Sequence, residues 1–272
     1  MSIVPCFAAS CPLVFAHRGG CALGPENTLA AFDLGVSAGA DGIELDVHLS
    51  ADGVVVVCHD AWLDRTTNAW GPVATHTAAE LARVDAGCRY VDARGVSAFR
   101  NQGVGIPTLA DVLRRYQDRL VIVEMKVDSA DMGRAVAGVV RAAGAVDRVC
   151  AAGYGRRSLG AARTALPDMA TSACHGEVRL ALYRSWAGWP VRDAPYGGYQ
   201  VPEKAGLLRV VSPRFVRHAH RAALEVHVWT VDEEADMARL LRWGVDGLIS
   251  NRPDVAVRMR DAMMRSTASE PG

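Results

Sequence analysis

Short apolar segments alternate with longer amphipathic segments along most of the chain. A short apolar run predicts a buried strand, whereas apolar residues spaced three and four apart predict a helix. The candidate strands are residues 13–16, 43–47, 120–125, 148–152, 169–174, 198–201, 226–231 and 246–250. Amphipathic stretches such as 28–37, 109–116, 130–143 and 233–243 lie between most of them, which indicates parallel strands. The pattern therefore predicts an α/β fold, a TIM (β/α)8 barrel, with residues 1–272 as a single domain. A doubly wound open sheet is the alternative, but no Gly-rich dinucleotide turn follows the first strand.

The second strand departs from this alternation. Ile43–Leu49 and Val54–Cys58 are both strand-like, and only Ser50–Gly53 separates them. So short a connection, with Asp-Gly in it, predicts an antiparallel hairpin, because parallel neighbours need a crossover of about a dozen residues or more. The returning arm brings His59 back toward the end of the strand that carries Glu44.

Residues from about 61 to 105 form a second departure. They contain Gly, Asn, Asp and Arg in no clear period. A short helix is predicted near residues 77–82, because Thr77 and Glu80 have the spacing of a capping box. We interpret the stretch as a small insertion after the second strand, on the face of the barrel where active-site loops lie.

The composition narrows the classes of function. The 272 residues include 30 basic and 30 acidic side chains. This balance argues against nucleic acid as a partner and against binding to a membrane surface through long-range charge. No apolar run approaches the roughly 18 residues of a membrane span, so no stable membrane anchor is expected. The first 16 residues lack Lys and Arg and run directly into the first strand, so we interpret them as native sequence rather than a signal peptide.

The cysteines point to a reducing compartment. The seven cysteines are scattered, and no two have CxxC spacing, at positions 6, 11, 21, 58, 88, 150 and 174. This pattern suggests neither a zinc knuckle nor a disulfide framework. We therefore expect a cytoplasmic location. The sequence leaves the oligomeric state open.

Three acids fall on predicted strands. Glu44 and Asp46 are two residues apart, so on a strand both carboxylates lie on one face, where they repel each other unless a cation lies between them. Such a pair suits Mg²⁺ or Ca²⁺ better than zinc. Glu124 and Lys126 repeat the spacing at the end of an apolar strand, where Glu124 could be a third ligand and Lys126 a phosphate contact. The alternatives are a solvated strand face for the first pair and a structural ion pair for the second. Lys126 and Lys204 are the only lysines among 30 basic residues, which favours a function for Lys126.

Two histidines and a tryptophan also lie at strand ends or in the hairpin. His17 and Arg18 follow the first strand, where an imidazole can transfer protons and a guanidinium can bind phosphate. Alone, this pair and His59 are more often structural. Trp229 could be core or could contact a substrate. Surface or core roles are expected for His48, His175, His218, His220 and His227. Cys21 lies near the predicted site, but nothing nearby indicates a low thiol pKa, so we expect no nucleophilic role for it.

Taken together, these segments resemble the glycerophosphodiester phosphodiesterase family. They occur in the family's order from residue 13 to about 253, as His17–Gly19, Pro25–Thr28, Gly39–Val47, Asp52–Asp60, Arg65–Thr67, Ile106–Leu109, Glu124–Lys126, Trp229–Asp232 and Gly244–Ser250. One departure is Ser250-Asn251, where the family often has Thr-Asp. This change could alter a hydrogen bond but removes no group that touches the substrate.

The resemblance implies an activity and a role for each candidate residue. The expected activity is metal-dependent hydrolysis of a small-molecule phosphodiester to glycerol 3-phosphate and an alcohol. The implied roles are metal ligation by Glu44, Asp46 and Glu124, acid–base catalysis by His17 and His59, phosphate binding by Arg18 and Lys126, and substrate contact by Gln200 and Trp229. Either water or the glycerol 2-hydroxyl could be the nucleophile, and either histidine could be the base.

Two rival functions remain. The first is a lysophospholipase D, which an apolar groove over the insertion would favour, and Trp62, Trp70, Trp186 and Trp189 leave it open. The second is a non-catalytic barrel that binds phosphodiesters. Loss of a histidine or an acid would support the second rival, but all of them are present.

Overall fold

The computed structural model describes residues 5–7 and 9–268 of the chain, with side chains up to residue 266. The strands in this part are β1 (Leu13–His17), β2 (Gly42–Leu49), β3 (Val55–Val57), β4 (Leu120–Met125), β5 (Val149–Ala152), β6 (Ala170–Thr171), β7 (Gly198–Pro202), β8 (Lys204–Ala205), β9 (Leu208–Arg209), β10 (Glu225–Trp229) and β11 (Gly247–Ser250). The α-helices are α1 (Leu29–Ser37), α2 (Ala78–Leu81), α3 (Leu109–Arg115), α4 (Ala130–Ala142), α5 (Arg156–Ala165), α6 (His175–Ala187), α7 (Pro213–His220), α8 (Glu234–Arg242) and α9 (Pro253–Ala268). Short 3₁₀ helices cover Val73–Thr75 and Val146–Arg148.

Eight strands form a parallel barrel. Their order is β6-β5-β4-β2-β1-β11-β10-β7, with parallel pairing between neighbours. The ring closes through an isolated parallel bridge between Ser172 and Gly198, beside a 2.9 Å hydrogen bond from Gly197 N to Thr171 O. The predicted TIM barrel is therefore confirmed, with helices on its outer surface.

Two strands end earlier than the apolar pattern predicts. The strand expected over 169–174 is regular only at Ala170–Thr171, because Cys174 is already the N-cap residue of α6. The strand expected over 226–231 covers Glu225–Trp229. In both places the apolar run continues past the end of the strand pairing.

The predicted hairpin is present. β3 pairs antiparallel with β2, with Val47 opposite Val57, and Cys58 N donates to Asp46 O at 3.0 Å. The insertion that follows packs a small hydrophobic cluster against β3 and contains α2, whose predicted Thr77–Glu80 capping box is also present. The hydroxyl of Tyr90 donates to Ala22 O at 3.0 Å, which ties the insertion to the loop after β1.

The alternation of side chains along the strands separates two parts of the core. Val14 packs outward in a cluster with residues of the surrounding helices. Phe15 contacts Ile122 and Ile249 in a second cluster within the barrel. This inner cluster fills the barrel below its carboxyl end, where the polar strand-end residues lie. Among the helices of the described residues, none has both the length and the apolar character needed to cross a bilayer.

Candidate active site

A cavity of about 170 Å³ lies at the carboxyl ends of the barrel strands. Eight of the nine predicted site residues line it, namely His17, Arg18, Glu44, His59, Glu124, Lys126, Gln200 and Trp229. The ninth, Asp46, is beside it and contacts both Arg18 and Lys126. The barrel thus brings together residues that are up to 212 positions apart (Trp229 and His17) in the sequence.

The three carboxylates converge because of strand register. Asp46 on β2 is opposite Glu124 on β4, and Glu44 is two residues before Asp46 on the same face. Oxygens of the three acids lie within 4.8 Å of one another. Glu44 and Asp46 are 4% and 1% exposed, so water does little to separate their charges.

This cluster has an unfavourable concentration of negative charge. Burial, followed by the charges of Asp46 and Glu124, raises the pKa of Glu44 well above its ordinary value. Burial also raises the pKa of Glu124. Lys126 Nζ lies 3.1 Å from Glu124 and 3.4 Å from Asp46, and Arg18 Nε lies 3.1 Å from Asp46. Two cations therefore face three carboxylates, and the all-oxygen donor set can hold a divalent metal ion of the hard type.

The imidazole of His17 is oriented by Asn251. Its Nδ1 lies 2.6 Å from Asn251 Oδ1, while Asn251 Nδ2 donates to Asp232 Oδ2 at 2.7 Å. Because the amide oxygen is only an acceptor, the proton belongs on Nδ1, and Nε2 is the nitrogen that remains for a substrate. Nε2 lies 3.8 Å from Glu44 Oε2. Burial lowers the pKa of His17 below its ordinary value.

A tight turn after β1 directs Arg18 across the cavity. Arg18 has φ +51° and Gly19 has φ +90°, and a Cβ on Gly19 would lie 2.7 Å from the Phe32 ring. Only glycine fits this position without strain or collision. The turn points Arg18 N at Glu44 Oε2, 3.1 Å away, and the guanidinium donates to Glu26 at 3.0 Å.

His59 belongs to a chain of ion pairs at the mouth of the cavity. Its Nδ1 lies 2.6 Å from Asp60 Oδ1, and Arg65 donates to Asp60 at 2.5 Å and to Glu26 at 2.7 Å. Glu26 in turn accepts from Arg18. The hydrogen bond from Arg65 is the main reason that the pKa of Asp60 falls to about 2. A continuous chain of ion pairs thus connects Arg18, next to His17, with His59.

Several residues of the site were not predicted from the sequence. They are Glu26, Asn27, Asp60, Arg65, Asp232 and Asn251, although each lies in or beside a segment that carries the family resemblance. Asn27 belongs with them because its Nδ2 donates to Asp46 at 2.8 Å. Position within those motifs was the available signal, but a motif does not say which of its residues make contacts.

Some of the remaining histidines and tryptophans lie closer to the cavity than the sequence predicts. His48 supports the site, because its Nε2 lies 3.0 Å from the carbonyl of His59. His175, expected to be structural or at the surface, lines the cavity at the start of α6. Trp229 lines the cavity beside Tyr154, with the ring centroids 6.4 Å apart. Four tryptophans are 47–68% exposed and lie outside the lining, namely Trp62, Trp70, Trp186 and Trp189.

Comparison with known proteins gives one consistent result. The sequence model described as "Glycerophosphoryl diester phosphodiesterase family" matches residues 17–255. A glycerophosphodiester phosphodiesterase of Caldanaerobacter subterraneus subsp. tengcongensis is 30% identical, with 91% of this chain and 97% of the relative aligned. One from Bacillus altitudinis is 31% identical, with 92% and 98% aligned.

A solved structure with a similar fold belongs to the same kind of enzyme as these sequence relatives. The crystal structure of a glycerophosphodiester phosphodiesterase from Agrobacterium tumefaciens superposes with a TM-score of 0.73 at 28% identity, covering 91% of this chain and 99% of the other. The expected class of enzyme, a phosphodiesterase, is confirmed by these relatives. The chain therefore belongs to the glycerophosphoryl diester phosphodiesterase family.

Proposed function

We propose that this protein hydrolyses glycerophosphodiesters to glycerol 3-phosphate and an alcohol, with His17 and His59 as the acid–base pair and a divalent metal ion as cofactor. The observation that carries the proposal is the convergence of two imidazoles and three carboxylates on one cavity. The names of the relatives support the substrate class. We further propose that the barrel acts as a single domain in the cytoplasm, where its seven free cysteines would stay reduced.

With a divalent cation bound, the charges of the site would suit a phosphodiester, which carries one negative charge. Three carboxylates against Lys126 and Arg18 leave a formal charge of about −1, which would repel that substrate. A divalent cation held by Glu44, Asp46 and Glu124 would reverse the sign. When bound, such an ion offsets the negative charge on the phosphate oxygens.

The protein's own residues supply positioning and proton transfer. Arg18 and Lys126, which both contact Asp46, bind the phosphate oxygens. Each histidine uses Nδ1 for a protein partner, so both can present Nε2 to the substrate. One imidazole takes the proton of the nucleophile and the other gives a proton to the leaving alcohol, and each transfer contributes about 10²–10⁴ in rate.

The uncharged part of the cavity wall suits a small organic group. It includes apolar side chains such as Ala152, Val178 and Trp229, together with Gln200. We propose that the glycerol packs against Trp229 and that Gln200 contacts its hydroxyls. The exposed tryptophans lie outside this wall, so no observation favours an acyl chain as substrate over a glycerol headgroup.

The acid–base assignment is tested by His17→Ala and His59→Ala. We expect each variant to lose at least about 10²-fold in kcat for glycerol 3-phosphate release, because one proton transfer is lost. His220→Ala is the matched control. His220, on α7, pairs with Asp246 and is absent from the cavity lining. Near-normal turnover in either cavity variant, with folding verified by circular dichroism, contradicts the assignment.

Metal dependence is tested with EDTA. Removal of metal should abolish glycerol 3-phosphate release, and Mg²⁺ or Ca²⁺ should restore it. Glu44→Gln should raise the concentration of metal needed for half-maximal activity, because one anionic ligand is lost. An unchanged response of Glu44→Gln to EDTA and to added metal would count against the ligand assignment.

A further inference from the structure

A second polar cluster lies at the opposite, amino end of the barrel. Glu225 and His227 are two residues apart on β10, so both face inward, as Trp229 does higher on the same strand. Residues Cys6 and Phe7 close this end from below. The Phe7 ring packs 5.1 Å from Phe15 and 5.8 Å from His227, and Phe7 N donates to Glu225 at 3.0 Å.

The donor atoms of this cluster have metal-ligand spacing. A donor atom of each of Cys6, Glu225 and His227 lies within 4.8 Å of the other two. His227 Nε2 and Glu225 Oε2 are 3.2 Å apart. Two ligands about 2.0–2.2 Å from a tetrahedral zinc ion are separated by about 3.3–3.5 Å, so the observed spacing is close to that of a formed site. Cys150 adds a second sulfur, 3.4 Å from Cys6 Sγ.

His227 is the independent observation that points to a ligand. Its side chain is 0% exposed, and among the described residues neither ring nitrogen makes a hydrogen bond: Nδ1 has no partner, and Nε2 has only the ion-pair contact with Glu225 Oε2 at 3.2 Å. Buried polar groups are nearly always satisfied, so such a histidine requires an explanation. Packing also holds the ring in position, because a Cβ on Gly247 would lie 2.7 Å from it.

We propose that Cys6, Glu225 and His227 bind a zinc ion at the base of the barrel, separate from the carboxylate cluster of the active site. The mixed sulfur, nitrogen and oxygen donors favour zinc over Mg²⁺ or Ca²⁺, which prefer oxygen alone. The Cys6 thiol loses its proton to solvent and binds as the thiolate. Glu225 accepts the Phe7 N–H, which is compatible with ligation because a carboxylate has about four lone-pair sites.

Zinc at this position would fasten the N-terminal segment to the barrel. Cys6 comes before β1, whereas the other two ligands belong to β10, more than 200 residues later. A site assembled from such distant positions has no local sequence spacing, which explains why the scattered cysteines predict no zinc motif. Loss of the metal should therefore loosen residues near Cys6 without removing a group from the catalytic cavity.

The proposal is tested with Co²⁺ as a spectroscopic substitute for zinc in the metal-stripped full chain. A thiolate ligand gives a thiolate-to-cobalt charge-transfer absorption that carboxylate ligands do not give. We expect this absorption in the wild type and in Glu124→Gln, which alters only the carboxylate cluster. It should disappear in Cys6→Ser and His227→Gln, and zinc should displace the cobalt.

Cys174→Ala is the matched control, because Cys174 is also buried but lies outside this cluster, and it should keep the absorption. Zinc affinity, measured by competition with a chelator, should fall more than about 100-fold in Cys6→Ser, since even supporting residues of metal sites typically cost 10–100-fold. Circular dichroism verifies that each variant is folded. No charge-transfer absorption in the wild type, or its persistence in folded Cys6→Ser, overturns the proposal.

Discussion

Asn251 connects the end of β1 and the turn after it with Asp232, in the loop after β10. Its side-chain oxygen faces His17 Nδ1 at 2.6 Å and accepts from Cys21 Sγ at 2.8 Å, while its amide nitrogen donates to Asp232. These contacts fix the orientation of the amide, which in turn fixes the protonated nitrogen of His17. The sequence interpretation that this departure from Asp removes no substrate-contacting group stays a prediction. Here the amide oxygen of Asn251 accepts the hydrogen bond from His17, and the carboxylate of Asp232 accepts in turn from the amide nitrogen of Asn251.

Replacement of Asn251 should affect turnover more than binding. Asn251→Ala removes the acceptor for His17 Nδ1, so the imidazole can rotate or change tautomer. We expect kcat to fall about 10–100-fold with little change in KM, which is the usual range for residues that orient an active-site group. Steady-state kinetics of glycerol 3-phosphate release measure this.

Asn251→Asp is the informative comparison. It keeps an oxygen acceptor at the same position and should retain most of the wild-type kcat. A purely structural role would instead lower thermal stability in both variants without separating their kcat values. Equal kcat for Asn251→Ala and the wild type would refute the positioning role.

At the scale of single residues, a role could be predicted from the sequence only where it follows from the spacing of neighbouring residues. The spacing of Glu44 and Asp46 is enough to put both carboxylates on one face of a strand. Glu26 and Arg65 carry no such signal, because they meet only when two loops 39 residues apart come together. A single sequence cannot say which loop residues will be in contact.

Among the strands, β6 is the weak point of the barrel ring. It has two residues, and its neighbour β7 is joined to it through the Ser172–Gly198 bridge. Arg163 on α5 reinforces this junction. Its guanidinium donates to Thr171 Oγ1 at 2.9 Å, to Ser172 O at 2.9 Å and to Glu177 at 3.1 Å.

We expect Arg163→Ala to lower the free energy of unfolding by roughly 2–3 kcal/mol. This is somewhat less than the loss of one partner from a fully buried pair, because the Arg163 side chain is 17% exposed. Urea denaturation measures the loss. Arg134→Ala is the control, since Arg134 makes an exposed i,i+3 pair with Asp131 and should cost under about 1 kcal/mol.

The effect of Arg163→Ala should depend on pH. Burial alone would raise the pKa of Glu177, but hydrogen bonds from Arg163 and Cys174 outweigh burial and lower it. A carboxyl group whose pKa is lowered by folding stabilises the folded state at pH values above its pKa in the unfolded state. This contribution is lost as the pH falls toward the pKa of the folded state. The gap between wild type and variant should therefore narrow below about pH 4.5. A gap that widens there contradicts the ion-pair explanation.

At the level of elements, the hairpin was predictable and the end of β6 was not. A four-residue connection with Asp-Gly permits few arrangements, so β2 and β3 follow from the sequence. The apolar run at 169–174 does not mark where strand pairing stops, because pairing depends on β7, which lies more than 25 residues later. Strand boundaries of this kind are set by contacts that the local pattern does not contain.

At the level of the whole molecule, the carboxylate cluster should make stability depend on metal. Binding of Mg²⁺ or Ca²⁺ at 100 times its Kd stabilises the folded state by about 2.7 kcal/mol. For a domain of this size each kcal/mol raises Tm by about 2–4 °C, so we expect a rise of about 5–10 °C. Thermal denaturation with EDTA and with added metal measures this.

Glu44→Gln provides the control for this effect. Without metal it should be at least as stable as the wild type, because one of three mutually repelling carboxylates becomes neutral. With saturating metal the order should reverse, because the wild type gains more from binding. The same order in both conditions would contradict metal binding at this cluster.

The hairpin of β2 and β3 has a consequence for how the enzyme can change. The backbone ladder that carries Glu44 and Asp46 also carries the strand that ends next to His59, so the separation of His59 from these two acids is set before the insertion begins. Residues 61–105 form the insertion that begins after β3 and ends before α3, outside this pair of strands. None of the residues 61–105 is among those that line the cavity, but Arg65, near the start of the segment, holds Asp60 beside His59. Exchanging the part of the segment beyond Arg65 for a loop of another length should therefore leave His59 and the three acids in place. The insertion is thus free to vary in length without changing the spacing of these side chains.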